Sequence, residues 1–287
     1  MSAELVWDLK CGTGECPTWD AAHNRLLFCD IPAGTIYALS LASGERRSWT
    51  LPDVVGSFGL CASGRLIVAL RRRVVFFDLE TGAITDFTDS IDEPESNRLN
   101  DGKVGPDGSF WVGSMDEATP RQATGNLYRV TPDGRMVKKA SGYKVSNGLA
   151  WSPDGRVMYH SCSTQGLVWT WDFRLGDHDA GEITNQRVFA QLSDQQGRPD
   201  GAAMDAQGYY WSAGVSGGHL NRFAPDGMLV ATIAVPAAHP TMPCFTPDTL
   251  YFTSLRQPDA AADSLDGGLF RLHTHHAGAP IPVFADV

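Results

Sequence analysis

Short apolar runs of strand length recur along the whole chain, each broken by a tight turn rich in Gly, Pro, Asp or Asn. The clearest units read NDGKVGPDGSFWVGSM from Asn100, NGLAWSPDGRVMYHSC from Asn147, DGAAMDAQGYYWSAGV from Asp200 and TMPCFTPDTLYFTSL from Thr241. Weaker copies begin at Glu15 (ECPTWDAAHNRLLFCDI) and at Gly56 (within VGSFGLCASGRLIVAL). In each, GPDG, SPDG, DAQG or a relative supplies the turn, and a β-branched or aromatic run such as FWVGS or YYWSA supplies a strand. Two further strands follow in most units, as in GNLYRVTPDG, GLVWTWDF and GHLNRFAPDGMLVATI. The six copies start about 40 to 53 residues apart, a period that marks propellers and solenoids. Four strands per copy make a blade, and stacking six blades around an axis buries sheet faces that no single blade could bury alone.

The pattern therefore predicts an all-β chain, a six-bladed β-propeller of four-stranded blades, with residues 1–287 forming one domain. ELVWDL near the N-terminus has no blade of its own, so it is expected to close the ring beside GGLFRLHT and PVFADV. QPDAAADSLDGG, near residue 260, reads as a surface loop.

Charge and cysteine usage narrow the partners. The net charge is −10, and no basic run exceeds Arg71, Arg72 and Arg73, which argues against nucleic acid and anionic membranes. No apolar stretch reaches the length of a membrane span, and MSAELVWDLK lacks the features of a signal peptide, so the chain is expected to begin near residue 1. Six cysteines without a CxxC spacing suit a reduced, cytoplasmic protein, either a monomer or a small homo-oligomer.

Propeller geometry says where function belongs. The first strand of each blade lines the central channel, so its first residue faces the channel mouth. Aligning the turns gives Glu15, Gly56, Asn100, Asn147, Asp200 and Thr241 as that ring. Two carboxylates and two carboxamides converging there suit a divalent cation in the central channel, whereas a structural site would carry dedicated Cys or His spacing. By strand alternation Asp101 is expected to point away. Trp19, Trp111, Trp151, Trp169, Trp171 and Trp211 read as packing between blades, and His160 and His219 as structural histidines. His239 is expected near the mouth, and His23, His178, His273, His275 and His276 in turns or near the tail.

GTGECPTW, NRLNDGKVGPDGSFWVGSM, VSNGLAWSPDG and RPDGAAMDAQGYYW resemble, in order and spacing, the motifs of the SMP-30/gluconolactonase/regucalcin-like family over essentially the whole chain. The tail motifs TMPCFTPDTLYFTS and GGLF also resemble bacterial sugar lactonases. The resemblance implies a six-bladed propeller with one divalent metal ion (Ca, Zn, Mg, Mn or Fe) that hydrolyses a small-molecule sugar lactone to an aldonic acid. It implies Glu15, Asn147 and Asp200 as metal ligands and Arg98 and Asn100 as substrate-binding residues. Asp200, a carboxylate at the metal, is then the expected general base for a metal-activated water. Alternatives on the same scaffold are another ester or phosphotriester hydrolase and a noncatalytic calcium-binding or sensing propeller. Relatives usually carry Gly where this chain has Cys16, and Asp where it has Cys162, so both thiols are candidates for a role near the metal.

Overall fold

The computed structural model describes residues 2–176 and 180–287, and His178 lies outside the described residues. Six four-stranded antiparallel sheets stand in sequence order around one axis. Their innermost strands are Gly14–Asp20, Ser57–Leu60, Asn97–Val104, Ser146–Trp151, Pro199–Met204 and Pro240–Phe245, and each touches the next until the last meets the first. Inner strands are buried almost throughout, whereas outer strands such as Ile183–Gln191 are largely exposed. This is the gradient expected where hydrophobic sheets stack around a channel.

Ring closure follows the expectation at one end of the chain. Ala3–Trp7 pairs antiparallel with Leu269–His273 and completes the sixth blade. PVFADV, expected in the same sheet, lies elsewhere. Phe284 forms a parallel bridge with Cys61 of blade two, its N–H donating to the Leu60 carbonyl at 2.8 Å. Pro280 and Pro282 remove the donors a ladder needs, so the segment runs as a strap with single bridges. It ties to blade five through Asp205 and Gly278, then to blade two, where Arg65 and Ser63 hold Asp286. The strap covers the far end of the channel over a cavity of about 200 Å³ whose walls include Pro17, Phe58, Lys103, Trp151, Met204 and Cys244, from all six blades.

Aromatic residues fill the wedges between blades. Trp111 of blade three meets Trp151 and Phe173 of blade four, Tyr159 stacks on Tyr210 across blades four and five, and Trp211 meets Phe245 of blade six edge-on. Two turns add a polar lock of the same design. Asp107 accepts from the Trp111 indole and the Arg129 guanidinium, and Asp205 accepts from Trp211 and Arg222. Among the described residues no helix is long and apolar enough to cross a membrane.

Candidate metal and substrate site

Each inner strand except that of blade two carries a register shift at its mouth end. The shifts fall between Glu15 and Thr18, Leu99 and Gly102, Asn147 and Ala150, Pro199 and Ala202, and Pro240 and Pro243, while Ser57–Leu60 pairs regularly. An extra residue in a strand re-aims its neighbours. Cys16, at φ 54°, and Gly148, at φ 65°, take the left-handed conformation directly after Glu15 and Asn147. That region costs an L-residue roughly 1 kcal/mol or more, which is why Gly suits the position. Cys16 is held there by its contacts. Its N–H donates to Glu15 Oε2 at 2.8 Å, its thiol donates to the Phe58 carbonyl at 3.2 Å, and Phe58 N–H donates back to Sγ at 3.2 Å. Cys16 thus ties blade one to blade two, and burial pushes its thiol up to about 12.

Around the mouth Arg98, Asn100, Asn147 and Asp200 form one hydrogen-bonded chain, and Glu15 stands outside it, bonded to the N–H of Cys16. Asn147 Nδ2 donates to Asp200 Oδ1 at 2.6 Å and to Ser163 Oγ at 2.8 Å. Asn100 Nδ2 donates to the Ser146 carbonyl at 2.9 Å and reaches Asn147 Oδ1 at 3.5 Å. Arg98 Nη1 donates to Asn100 Oδ1 at 2.7 Å and to the Leu99 carbonyl at 2.9 Å, and its Nε donates to Glu117 Oε1 at 2.8 Å. Glu117 also receives Arg71 at 2.5 Å. Burial works against the charge on Glu117, yet the two guanidiniums hold its carboxyl below the usual range.

Glu15 and Asp200 are buried acids. Burial, then the charges of Asp200 and Asp101, raise Glu15 well above its ordinary value. Burial and the Asp101 charge push Asp200 up to about 7, against the pull of Arg198 and the Asn147 hydrogen bond. Lys103 opposes the trend at Glu15 and Asp101, and its ammonium donates to the Ala202 carbonyl. Buried carboxylates without a cation must take up protons or be compensated. Asp101 joins this cluster, contrary to simple alternation, because the shift after Leu99 adds a residue. Its Oδ2 accepts from Leu149 N–H at 3.1 Å, and its Oδ1 is buried without a partner.

Among the described residues no three His, Cys, Asp or Glu side chains gather at metal-binding spacing. A cation at this point would need the carboxamide oxygen of Asn147 as well as Glu15 and Asp200. The donor set fits one. Oxygen donors of mixed charge suit a hard cation with open positions, and a cation would favour the charged form of the buried acids and give the orphaned Asp101 oxygen a partner.

Two ring positions do other work. Thr241 Oγ1 donates to the Gly14 carbonyl at 2.5 Å and lies 2.9 Å from Thr253 Oγ1, joining blade six to blade one. Gly56 offers no side chain, and a Cβ there would meet the Leu99 carbonyl oxygen at 2.5 Å. Cys162 is fully buried in the apolar cluster with Tyr143, Leu149 and Trp171, its Sγ 3.6 Å from Thr164 Oγ1, so it packs. His160 is fully buried too, with Nε2 2.6 Å from Ser146 Oγ. His239 Nδ1 lies 3.2 Å from Asp266. Glu117 was missed in the sequence. The sign of it is its position immediately after Asp116, the residue that pairs with Asn97 beside Arg98.

A sequence profile described as "SMP-30/Gluconolactonase/LRE-like region" matches residues 13–256. The chain belongs to the SMP-30/gluconolactonase/LRE-like family. Within that family it is 36% identical to a protein named 6-deoxy-6-sulfogluconolactonase from Pseudomonas putida, over 95% of this chain and 94% of the relative. It is 34% identical to one named L-arabinolactonase from Azospirillum brasilense, over 99% and 95%. A crystal structure titled as a calcium-binding protein, regucalcin, from Agrobacterium tumefaciens superposes with a TM-score of 0.92 at 25% identity, covering 99% of this chain and 97% of that one. The resemblance carried by the four motifs and the expectation of a lactonase-class enzyme are borne out, as is the six-bladed propeller.

Proposed function

We propose that this chain hydrolyses a sugar lactone to its aldonic acid at the channel mouth, using one divalent cation held by Glu15, Asn147 and Asp200. The observation that carries the reading is the continuous chain from Glu117 through Arg98, Asn100 and Asn147 to Asp200, which links donors for a polyhydroxylated substrate to a buried acid pair. The cation, when bound, supplies Lewis-acid polarisation of the lactone carbonyl and makes a water more acidic.

The protein's own residues do the rest. Asp200, a carboxylate at the proposed cation site, takes the proton as water adds to the carbonyl carbon. The acyl carbon–ring oxygen bond then breaks, the ring oxygen receives that proton as a hydroxyl, and the new carboxylic acid ionises and releases one proton. Asn100 and Arg98 orient the ring hydroxyls, and Glu117 fixes the Arg98 fork. Six buried free thiols support a reducing, cytoplasmic compartment.

A pH-indicator assay tests the reading. Chelator-stripped protein is offered five- and six-membered aldonolactones, with Ca²⁺, Zn²⁺, Mg²⁺, Mn²⁺ or Fe²⁺ added back. Acid release above the spontaneous rate, restored by a cation and lost in Asp200→Ala, is the expected result. Cation binding with no turnover of any lactone would instead favour a calcium-binding propeller, as the Agrobacterium regucalcin is described.

A further inference from the structure

Arg98 and Arg198 occupy equivalent positions in blades three and five. Each lies two residues before a ring residue, Asn100 or Asp200, and the register shift falls at the same place in both inner strands. In blade three this spacing brings the guanidinium onto the ring side chain, with Arg98 Nη1 at 2.7 Å from Asn100 Oδ1. Arg98 is buried and engaged by Glu117, and Arg71 is engaged by Glu117 and Asp53. Arg198 differs. Its side chain is exposed, and among the described residues no carboxylate lies within ion-pairing distance of it.

The backbone of Arg198 is nevertheless fixed. Its N–H donates to Ser216 Oγ at 3.0 Å, its carbonyl accepts from Val215 N–H at 3.0 Å, and Pro199 follows it. A rooted arginine with a free fork beside the reacting end of a site is the usual receptor for a planar or tetrahedral anion.

We propose that Arg198 is a specificity residue that binds an anionic substituent of the lactone substrate, a carboxylate, sulfonate or phosphate carried away from the lactone carbonyl. This rests on the lactonase reading above. An exposed arginine facing only solvent spends its donors on water, whereas one closed over by a bound substrate makes charge-assisted bonds that favour an anionic lactone over its neutral counterpart.

The test compares kcat/KM for glucono-1,5-lactone and its 6-carboxylate, 6-sulfonate and 6-phosphate counterparts in the cation-loaded wild type, Arg198→Met and Arg198→Lys. The wild type should prefer at least one anionic lactone, and the anionic-to-neutral ratio should fall about 10- to 100-fold in Arg198→Met, mostly through KM. Arg198→Lys should retain part of the preference, and added salt should narrow it. The anion that loses most identifies the substituent. Equal loss on neutral and anionic lactones in Arg198→Met, or a wild type with no anionic preference while neutral lactone is turned over, overturns the proposal alone. Failure to hydrolyse any lactone overturns both it and the lactonase reading.

Discussion

Replacing His160 with Gln should flatten the acid side of the stability curve. The imidazole is fully buried, edge-on to Tyr143 at 4.5 Å between centroids and close to Trp169 and Trp171. Its Nε2 meets Ser146 Oγ, but Nδ1 is buried without a partner. Burial therefore pushes the histidine from its ordinary 6.5 down to about 3. The unfolded chain takes up a proton below pH 6.5 that the folded chain refuses until near pH 3, so this group contributes stability above pH 6.5 and loses it as the pH falls. Each pH unit is worth about 1.4 kcal/mol, and moving from pH 7.5 to 4.5 crosses two units below 6.5, a loss of about 3 kcal/mol. His160→Gln keeps a polar end for Ser146 and has no proton to take up. Its lost ring packing lowers stability by an amount that does not depend on pH.

Urea unfolding of both proteins in chelator, at pH 7.5, 6.0 and 4.5, measures the difference directly, because the other titrating groups are common to both. The wild type should start more stable, and its advantage should shrink by about 3 kcal/mol at pH 4.5. An advantage that stays constant across the three pH values refutes the reasoning. The consequence reaches the site. The Ser146 carbonyl holds Asn100, and the next residue is Asn147, so a charge forced onto His160 loosens the strand that carries the proposed ligand.

Three other outcomes follow from the same structure. In metal-stripped protein Glu15 and Asp200 hold protons longer folded than unfolded, so their contribution falls as pH rises from 4 toward 7, opposite in sign to that of His160; Asp200→Asn should therefore gain on the wild type over that range, and a binding cation should stabilise the wild type by about 3 kcal/mol at a hundred times its Kd, read by thermal melts. All six cysteines are free and buried, so a thiol reagent should label almost none in the native protein and six after denaturation, and Cys162→Ser should leave cation affinity unchanged while lowering stability. Phe284→Ala should cost about 3–5 kcal/mol in urea unfolding, since the ring is fully buried against Phe76 and Phe87 and anchors the strap.

What the sequence made legible is what turn spacing controls. Aligning the turns brings Asn100, Asn147 and Asp200 to one level because each stands eight residues before a turn glycine, Gly108, Gly155 or Gly208, and the DAAHN turn places Glu15 with them. Side-chain direction at that level was not legible from a period of two. Asp101 should have faced away, but the added residue after Leu99 brings its charge to bear on Glu15 and Asp200. Thr241 shares the ring position, yet its short hydroxyl finds the Gly14 carbonyl first. The proline-containing tail carries no alternation at all, so nothing in its pattern foretold an attachment to blade two through Phe284 and Asp286.

The irregularity has its own mark in the chain. Asn147 and Asp200 are each followed directly by Gly, and Asn100 is followed by Gly after one residue. Cys16 stands after Glu15 at positive φ where Gly would be unstrained. Blade two reverses the order. Gly56 precedes Ser57, the strand runs regularly, and no side chain enters from that blade. A left-handed residue follows the ring residue only in blades one and four, at Cys16 and Gly148; what the four contributing strands share is the register shift, which the regular strand of blade two lacks. Cys16 shows what the left-handed position costs when Gly is absent, since two sulfur hydrogen bonds to Phe58 are needed to hold it. On this reasoning Cys16→Gly should relieve the backbone yet loosen the contact between blades one and two, leaving Glu15 in place through the N–H of residue 16.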